Sequence, residues 1–284
     1  MKLKQLKWLG LALVTSLLLT ACGQTNKQGA SNIDDTKIIR VATSPGPYSE
    51  LFLNEVKPVL EAQGYTIENR DFDDLQRVNV AIDEGSMDLN VEQHTLYMSN
   101  YNEEAGGNLV GLTPIPTVPT AIFGGTKDSL DQVQPGDIVA VSDDPADITR
   151  SMLLLEKAGW ISLDPNVKPM DITENDIIEN KAGVEFRFVK PAIIPRNLED
   201  AAYGIIPGST FYDSGMSSTD ALLEEDMLPD LELQAVTRAD EADSQWAKDL
   251  VAVYQSDDLK ARIQEINAEN DRVNWLWPTS LKNN

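Results

Sequence analysis

The sequence predicts an α/β body of two lobes, each a mixed, mostly parallel sheet flanked by helices. Three observations predict it. Strand and helix signals alternate along the chain, a proline-rich stretch near the middle has the form of a crossing between lobes, and a late β-branched segment is placed to return the chain to the first lobe. The expected division is 37–118 with 233–284 for the first lobe and 119–232 for the second.

Before the body come a signal and a tether. Lys2, Lys4 and Lys7 precede an apolar run from Trp8 through Leu19, shorter than the roughly 20 residues a spanning helix needs. It reads as a secretory signal over 1–21 that ends in "LTAC", the form of a lipoprotein cleavage site. Cys22 is the only cysteine. It is expected to become the lipidated first residue of the mature chain, which leaves no thiol for a disulfide, a nucleophile or a soft-metal site. The polar, small-residue stretch 22–36 then has the composition of a flexible tether.

The first strand signal is "KIIRVAT", Lys37 to Thr43, which runs into the turn "SPGPYSE". Phe52, Val56 and Val59 or Leu60 recur at helical spacing before Gly64, with a kink expected at Pro58. "YTIEN" is the next strand, and a helix follows from Asp74 with Leu75, Val78 and Ile82 on one face and Gly85 as its stop. "TPIPTVPTAIFGG" carries the expected crossing and then a strand. "DIVAVS" is a buried strand entering a helix in which Asp144 caps, Pro145 is the first helical residue, Asp147 lies in the first turn and Gly159 ends the segment. "VEFRFV", "YGIIPG" and "LELQAVTR" read as later strands. "SQWAKDLVAVYQS" and "DDLKARIQEIN" read as amphipathic helices, and "NWLWP" as a closing hydrophobic seal.

Composition narrows the function. The formal net charge is −23, and it becomes more negative once the signal's lysines are removed. Such a chain is a poor match for nucleic acid or anionic headgroups, so membrane contact is expected through lipid. The acidic runs "EEDMLPDLELQ" and "ADEAD" read as solvated faces, and the tryptophans as core anchors. His94, in "VEQHTLYM", is the only histidine. A zinc-type site needs more ligands than it supplies, and no G-x-S-x-G or S-x-x-K stretch offers an activated serine. No enzyme activity, metal or cofactor is expected.

A secreted, lipid-anchored, two-lobe body is the build of a solute receptor, and four segments carry a resemblance. "SPGP" follows the first strand; "EGSMDLNVEQHTLYM" is close to G-x-x-D-A-N-x-F-Q-H-x-x-Y-L; "DDPADITRSMLLLEKAG" is close to N-D-P-T-N-x-x-R-A-L-x-L-L-x-x-A-G; and "SQWAKDLVAVYQSDDLKARI" lies near the end. The chain resembles the methionine-binding lipoproteins of bacterial ABC importers from about Lys37 to the C-terminus. The resemblance implies a periplasmic-binding-protein-like (type II) fold, an amino-acid ligand, permease and ATPase partners in the membrane, an extracytoplasmic location and a monomer. It also implies that Gln93, His94 and Tyr97 wall the ligand side chain and that Arg150 holds its carboxylate, a role suited to a guanidinium near a helix N-terminus. The bland alternatives are a packed core histidine, and an ion pair of Arg150 with Asp147 three residues earlier.

The chain also departs from the pattern. Glu92 stands where the family has Phe, Asp143 and Asp147 stand for asparagines, and Pro207 and Ser209 replace amides of a later strand end. Glu92, Asp143, Asp147 and Ser209 therefore join the candidate ligand-binding residues. Methionine is the expected ligand. A more polar or cationic amino acid or a short peptide is the alternative the new acids suit, and a surface adhesin is the alternative of another class.

Overall fold

The structure, a computed structural model, describes residues 37–269 and 273–283, within the compact unit Asp35–Asn284. The expected signal, Cys22 and the tether lie outside the described residues. The chain runs β1 (Ile38–Thr43), α1 (Pro47–Leu51), α2 (Lys57–Ala62), β2 (Thr66–Asp71), α3 (Leu75–Asp83), β3 (Leu89–His94), α4 (Thr95–Ala105) and β4 (Leu109–Pro114). After residues 115–120 come β5 (Ala121–Gly124), β6 (Ile138–Ser142), α5 (Pro145–Lys157), β7 (Ile161–Leu163), β8 (Ile177–Asn180), β9 (Glu185–Val189), α6 (Ile194–Asn197), β10 (Tyr203–Ile206), α7 (Gly208–Asp213) and β11 (Ala221–Glu224). Residues 225–232 lead back to β12 (Leu233–Arg238), α8 (Gln245–Tyr254) and α9 (Asp257–Glu269).

Two five-stranded sheets result, ordered β2-β1-β3-β12-β4 and β11-β5-β10-β6-β9. In the first, β1 pairs parallel with β2 and β3, and β12 is antiparallel to β3 and β4. In the second, β6 pairs parallel with β9 and β10, and β5 is antiparallel to β10 and β11. The sheets are thus parallel where helices carry the crossover and antiparallel where the chain enters or leaves by a crossing.

Local signals account for the elements that frame the site. Asp74 caps α3 by accepting the Arg77 N–H at 2.9 Å, and Gly85 takes the positive φ that stops the chain after it. The expected kink at Pro58 takes a specific form: Phe52–Val56 is a π-helical turn in which the Lys57 N–H bonds the Phe52 carbonyl. Pro58 lacks an N–H and its ring would meet the carbonyl four residues back, and one widened turn removes the conflict.

Apolar faces then set the packing. Ile39, Phe52, Val56 and Leu60 are buried with Trp246, Leu250 and Tyr254 of α8. Val139, Met152, Leu155 and Tyr203 form the core of the second sheet, where the Trp160 and Tyr203 rings stand 4.7 Å apart. Trp275 meets Tyr48 edge-on at 5.8 Å, and Leu276 exchanges backbone hydrogen bonds with Thr117 at 2.8 and 3.0 Å. "NWLWP" therefore closes over the first crossing. Half-buried Trp277 lies beneath the Lys260 ammonium.

One expectation fails inside the acidic run "EEDMLPDLELQ". Glu225 and Glu232 are buried, not solvated. Glu232 accepts hydrogen bonds from Thr279 and Ser280 and so ties down the C-terminal segment, which satisfies a carboxylate that burial would otherwise penalise.

The approach of α7 to the first crossing is close enough to exclude a side chain. A Cβ on Gly208 would lie 2.3 Å from the Val118 carbonyl oxygen. Gly208→Ala is expected to destabilise the body by about 1–3 kcal/mol through overpacking, read as a lower midpoint in urea. An unchanged midpoint would mean that α7 shifts freely.

Candidate functional site

The segment "VEQHTLYM" places its side chains by strand alternation. Along β3, Gln93 points opposite to Glu92 and His94. Gln93 is 1% exposed and its amide is fully committed: Nε2 donates to Asn79 Oδ1 at 2.6 Å and Asn90 Oδ1 at 3.1 Å, and Oε1 accepts from Asn79 Nδ2 at 3.1 Å. The side chain expected to contact the ligand thus braces β3 against α3.

His94 ends β3 and caps α4. Its Nδ1 accepts the Tyr97 N–H at 3.3 Å, so the hydrogen-bond pattern assigns the proton to Nε2. Burial, assisted by the nearby Arg150 charge, lowers the imidazole pKa to about 3, and the ring is therefore neutral near neutral pH. The Tyr97 ring stands edge-on to it at 6.5 Å. The Tyr97 phenol pKa is raised by burial and by Asp144, Asp74 and Glu104. Asp74 precedes α3 and Asp144 precedes α5, so Tyr97 lies near residues from both halves of the body.

Glu92 stands two residues before His94 on β3. Its Oε1 accepts from Ser49 Oγ. Burial raises the carboxyl pKa to about 7, against the lowering effect of hydrogen bonds from Ser49 and Ser44. Glu92 and Ser209, the second residue of α7, both line a cavity of about 860 Å³, whose wall also includes Ser44, Phe72, Leu75 and Asp213.

The α5 corner supplies the cation. Asp144 accepts the Ala146 N–H at 3.0 Å as the expected cap, and Pro145 opens the helix. Arg150, one turn on, is 4% exposed. The alternative of an Arg150–Asp147 pair is corrected: the guanidinium engages Glu225, with Nε donating to Oε2 at 3.0 Å and Nη2 donating to Oε1. Burial opposes the Arg150 charge, but the adjacent Glu225 outweighs it and raises the pKa. Asp147 instead accepts from Ser142 Oγ at 2.9 Å. Burial raises its pKa to about 6, opposed by the Arg150 charge. Asp143 is exposed, and its N–H continues the β6 ladder to the Val189 carbonyl at 2.9 Å.

The candidates thus fall into two groups. Glu92 and Ser209 share the large cavity. His94, Arg150, Tyr48 and Glu225 are buried and Asp147 is half-buried, and they are linked by the mutual electrostatic effects on Tyr48, His94, Asp147 and Arg150. Sequence reasoning missed Tyr48, whose hydroxyl donates to the Val118 carbonyl at 3.3 Å, and Glu225. Tyr48 directly follows the quoted "SPGP" and could have been found there, whereas Glu225 is masked by its acidic neighbours.

Known proteins share this architecture. The family model described as NlpA lipoprotein matches residues 39–275. Outer membrane lipoprotein 3 of Mannheimia haemolytica is 30% identical over 264 residues, covering 93% of this chain and 96% of its own. The D-methionine-binding lipoprotein MetQ of Salmonella typhi is 32% identical over 251 residues, covering 87% and 90%. A nutrient binding protein from Burkholderia cenocepacia, solved bound to methionine, superposes with a TM-score of 0.72 at 28% identity, covering 80% of this chain and 95% of its own. With a family model spanning most of the body and relatives aligned over nearly their whole length, the chain belongs to the NlpA lipoprotein family.

Proposed function

We propose that this chain is the substrate-binding protein of an ABC importer, held at the extracytoplasmic face of the membrane by lipid on Cys22, and that it captures an amino acid, methionine, between two lobes formed by residues 37–118 with 233–284 and by residues 119–232. The observation that carries this reading is Arg150, a buried cation on α5 beside a neutral histidine from the other sheet. The relatives named for methionine support the choice of ligand.

The recognition follows from the groups present. The ligand carboxylate takes the edge of the Arg150 guanidinium that Glu225 leaves open. The ligand ammonium takes Asp147, one helical turn earlier, and the His94 ring with Tyr97 walls the side chain. Each contact comes from a different element, so ligand favours the closed arrangement of the lobes, which is the form offered to the permease.

Native mass spectrometry of the body from Asn32 onward, purified without refolding, tests the ligand. Methionine is expected to copurify, and a body that neither carries nor rebinds any amino acid refutes the reading. Cys22→Ser is expected to move the protein from the membrane to the soluble fraction, and unchanged membrane retention would refute the anchor. Glu92 supports a second reading, because a carboxylate at the cavity wall suits a basic ligand group better than a thioether. Thermal stabilisation by lysine or arginine but not by methionine would select it.

A further inference from the structure

Described residues 115–120 and 225–232 carry the chain between the two sheets, and they meet at Thr120 and Glu225. The Glu225 N–H donates to the Thr120 carbonyl at 2.9 Å, and the Thr120 N–H donates to Glu225 Oε1 at 2.6 Å. The same carboxylate accepts Nε–H and Nη2–H of Arg150. Glu225 is only 7% exposed, so three donors converge on a carboxylate that water barely reaches. A planar guanidinium held at Nε and Nη2 has one rotational setting. Its Nη1 donates to none of the described residues, yet the only fully buried unpartnered side-chain atoms among them are Thr120 Oγ1 and Tyr254 OH. The Nη1 end of Arg150 is therefore not wholly sealed in protein, although the residue as a whole is only 4% exposed.

We propose that Glu225 is the positioning residue of the amino-acid site: it aims the free edge of Arg150 at the ligand carboxylate and fastens that anchor to both chain crossings. The proposal rests on the reading of Arg150 as the carboxylate anchor. It gives a buried carboxylate next to an anion site a purpose that simple charge balance would not, since Glu225 reduces the net positive charge available to the ligand while fixing its direction. Lobe movement and ligand anchoring then share one group, because the backbone that moves at the crossings is bonded to the side chain that holds Arg150.

Methionine and methioninamide are the probes, compared by calorimetry on the intact body and on Glu225→Gln. The wild type is expected to prefer methionine by at least about 100-fold, as suits a paired charge-assisted contact. In Glu225→Gln that preference is expected to fall at least about tenfold, because the guanidinium loses its fixed setting. A structural role alone would lower the melting temperature and leave the preference intact, and a preference within about twofold of wild type in a folded variant overturns the proposal. A wild type with no affinity for methionine overturns the methionine reading and the proposal together. If the variant does not fold, exchange of the Arg150 Nε–H in the wild type decides. It is expected to stay protected with and without methionine, and loss of protection on binding would mean that the ligand displaces Glu225.

Discussion

Arg150→Ala is expected to weaken methionine binding by at least about 100-fold, the loss of a bidentate charge-assisted contact. It is also expected to destabilise the body by about 3–5 kcal/mol, the usual result of leaving one member of a buried ion pair alone. The stranded member is Glu225, buried and still bonded to the Thr120 N–H. Arg150→Lys separates the two effects. An ammonium at this position keeps a charge near Glu225 but cannot present one planar pair of N–H groups to Glu225 and another to a ligand. Lysine is therefore expected to recover more stability than affinity. Calorimetric titration paired with urea unfolding measures both, and full methionine affinity in a folded Arg150→Ala protein would remove Arg150 from the site.

Glu92→Gln is expected to stabilise the protein at pH 8 and to leave it unchanged at pH 4. The sign follows from the raised pKa. The Glu92 carboxyl titrates at about 7 in the folded chain against 4.5 for an ordinary solvated glutamate. Between those values the folded state holds a proton that the unfolded state has released, so stability falls as pH rises through that window. Above it, the wild type carries a penalty of about 3 kcal/mol, at about 1.4 kcal/mol for each pH unit of the shift. Glutamine keeps an acceptor for Ser49 and never ionises. Urea unfolding of both proteins from pH 4 to pH 8 gives the difference directly, since the other groups are common to both. A constant difference across that range would show that Glu92 titrates as a solvated carboxyl.

The same titration bears on the proposal of a basic ligand. An ionised Glu92 on the cavity wall attracts a basic group, whereas a protonated one offers an ordinary hydrogen-bond donor. A ligand cation at Glu92 would favour the ionised form and lower its pKa, so methionine and a basic amino acid should shift the titration differently.

Much of this was legible in the sequence because it is local. The caps at Asp74 and Asp144, the stop at Gly85 and the strand periods of "DIVAVS" and "LELQAVTR" all depend on neighbours a few residues away. Hydrophobic period and backbone chemistry act over that range. Family membership was legible for a related reason: four spaced segments keep their order along the chain.

Only the tertiary structure decided which polar groups meet. Glu225 lies 75 positions from Arg150 and 105 from Thr120, and the spacing along the chain favoured Asp147 as the arginine's partner. Gln93 and Asp143 look alike as polar candidates on paper, yet one is buried and hydrogen-bonded to Asn79 and Asn90 and the other is exposed. In an acidic chain, carboxylates are abundant and their type says little. What separates a solvated acid from a working one is desolvation, which depends on what the fold packs around it, and that is set by contacts between segments far apart in sequence.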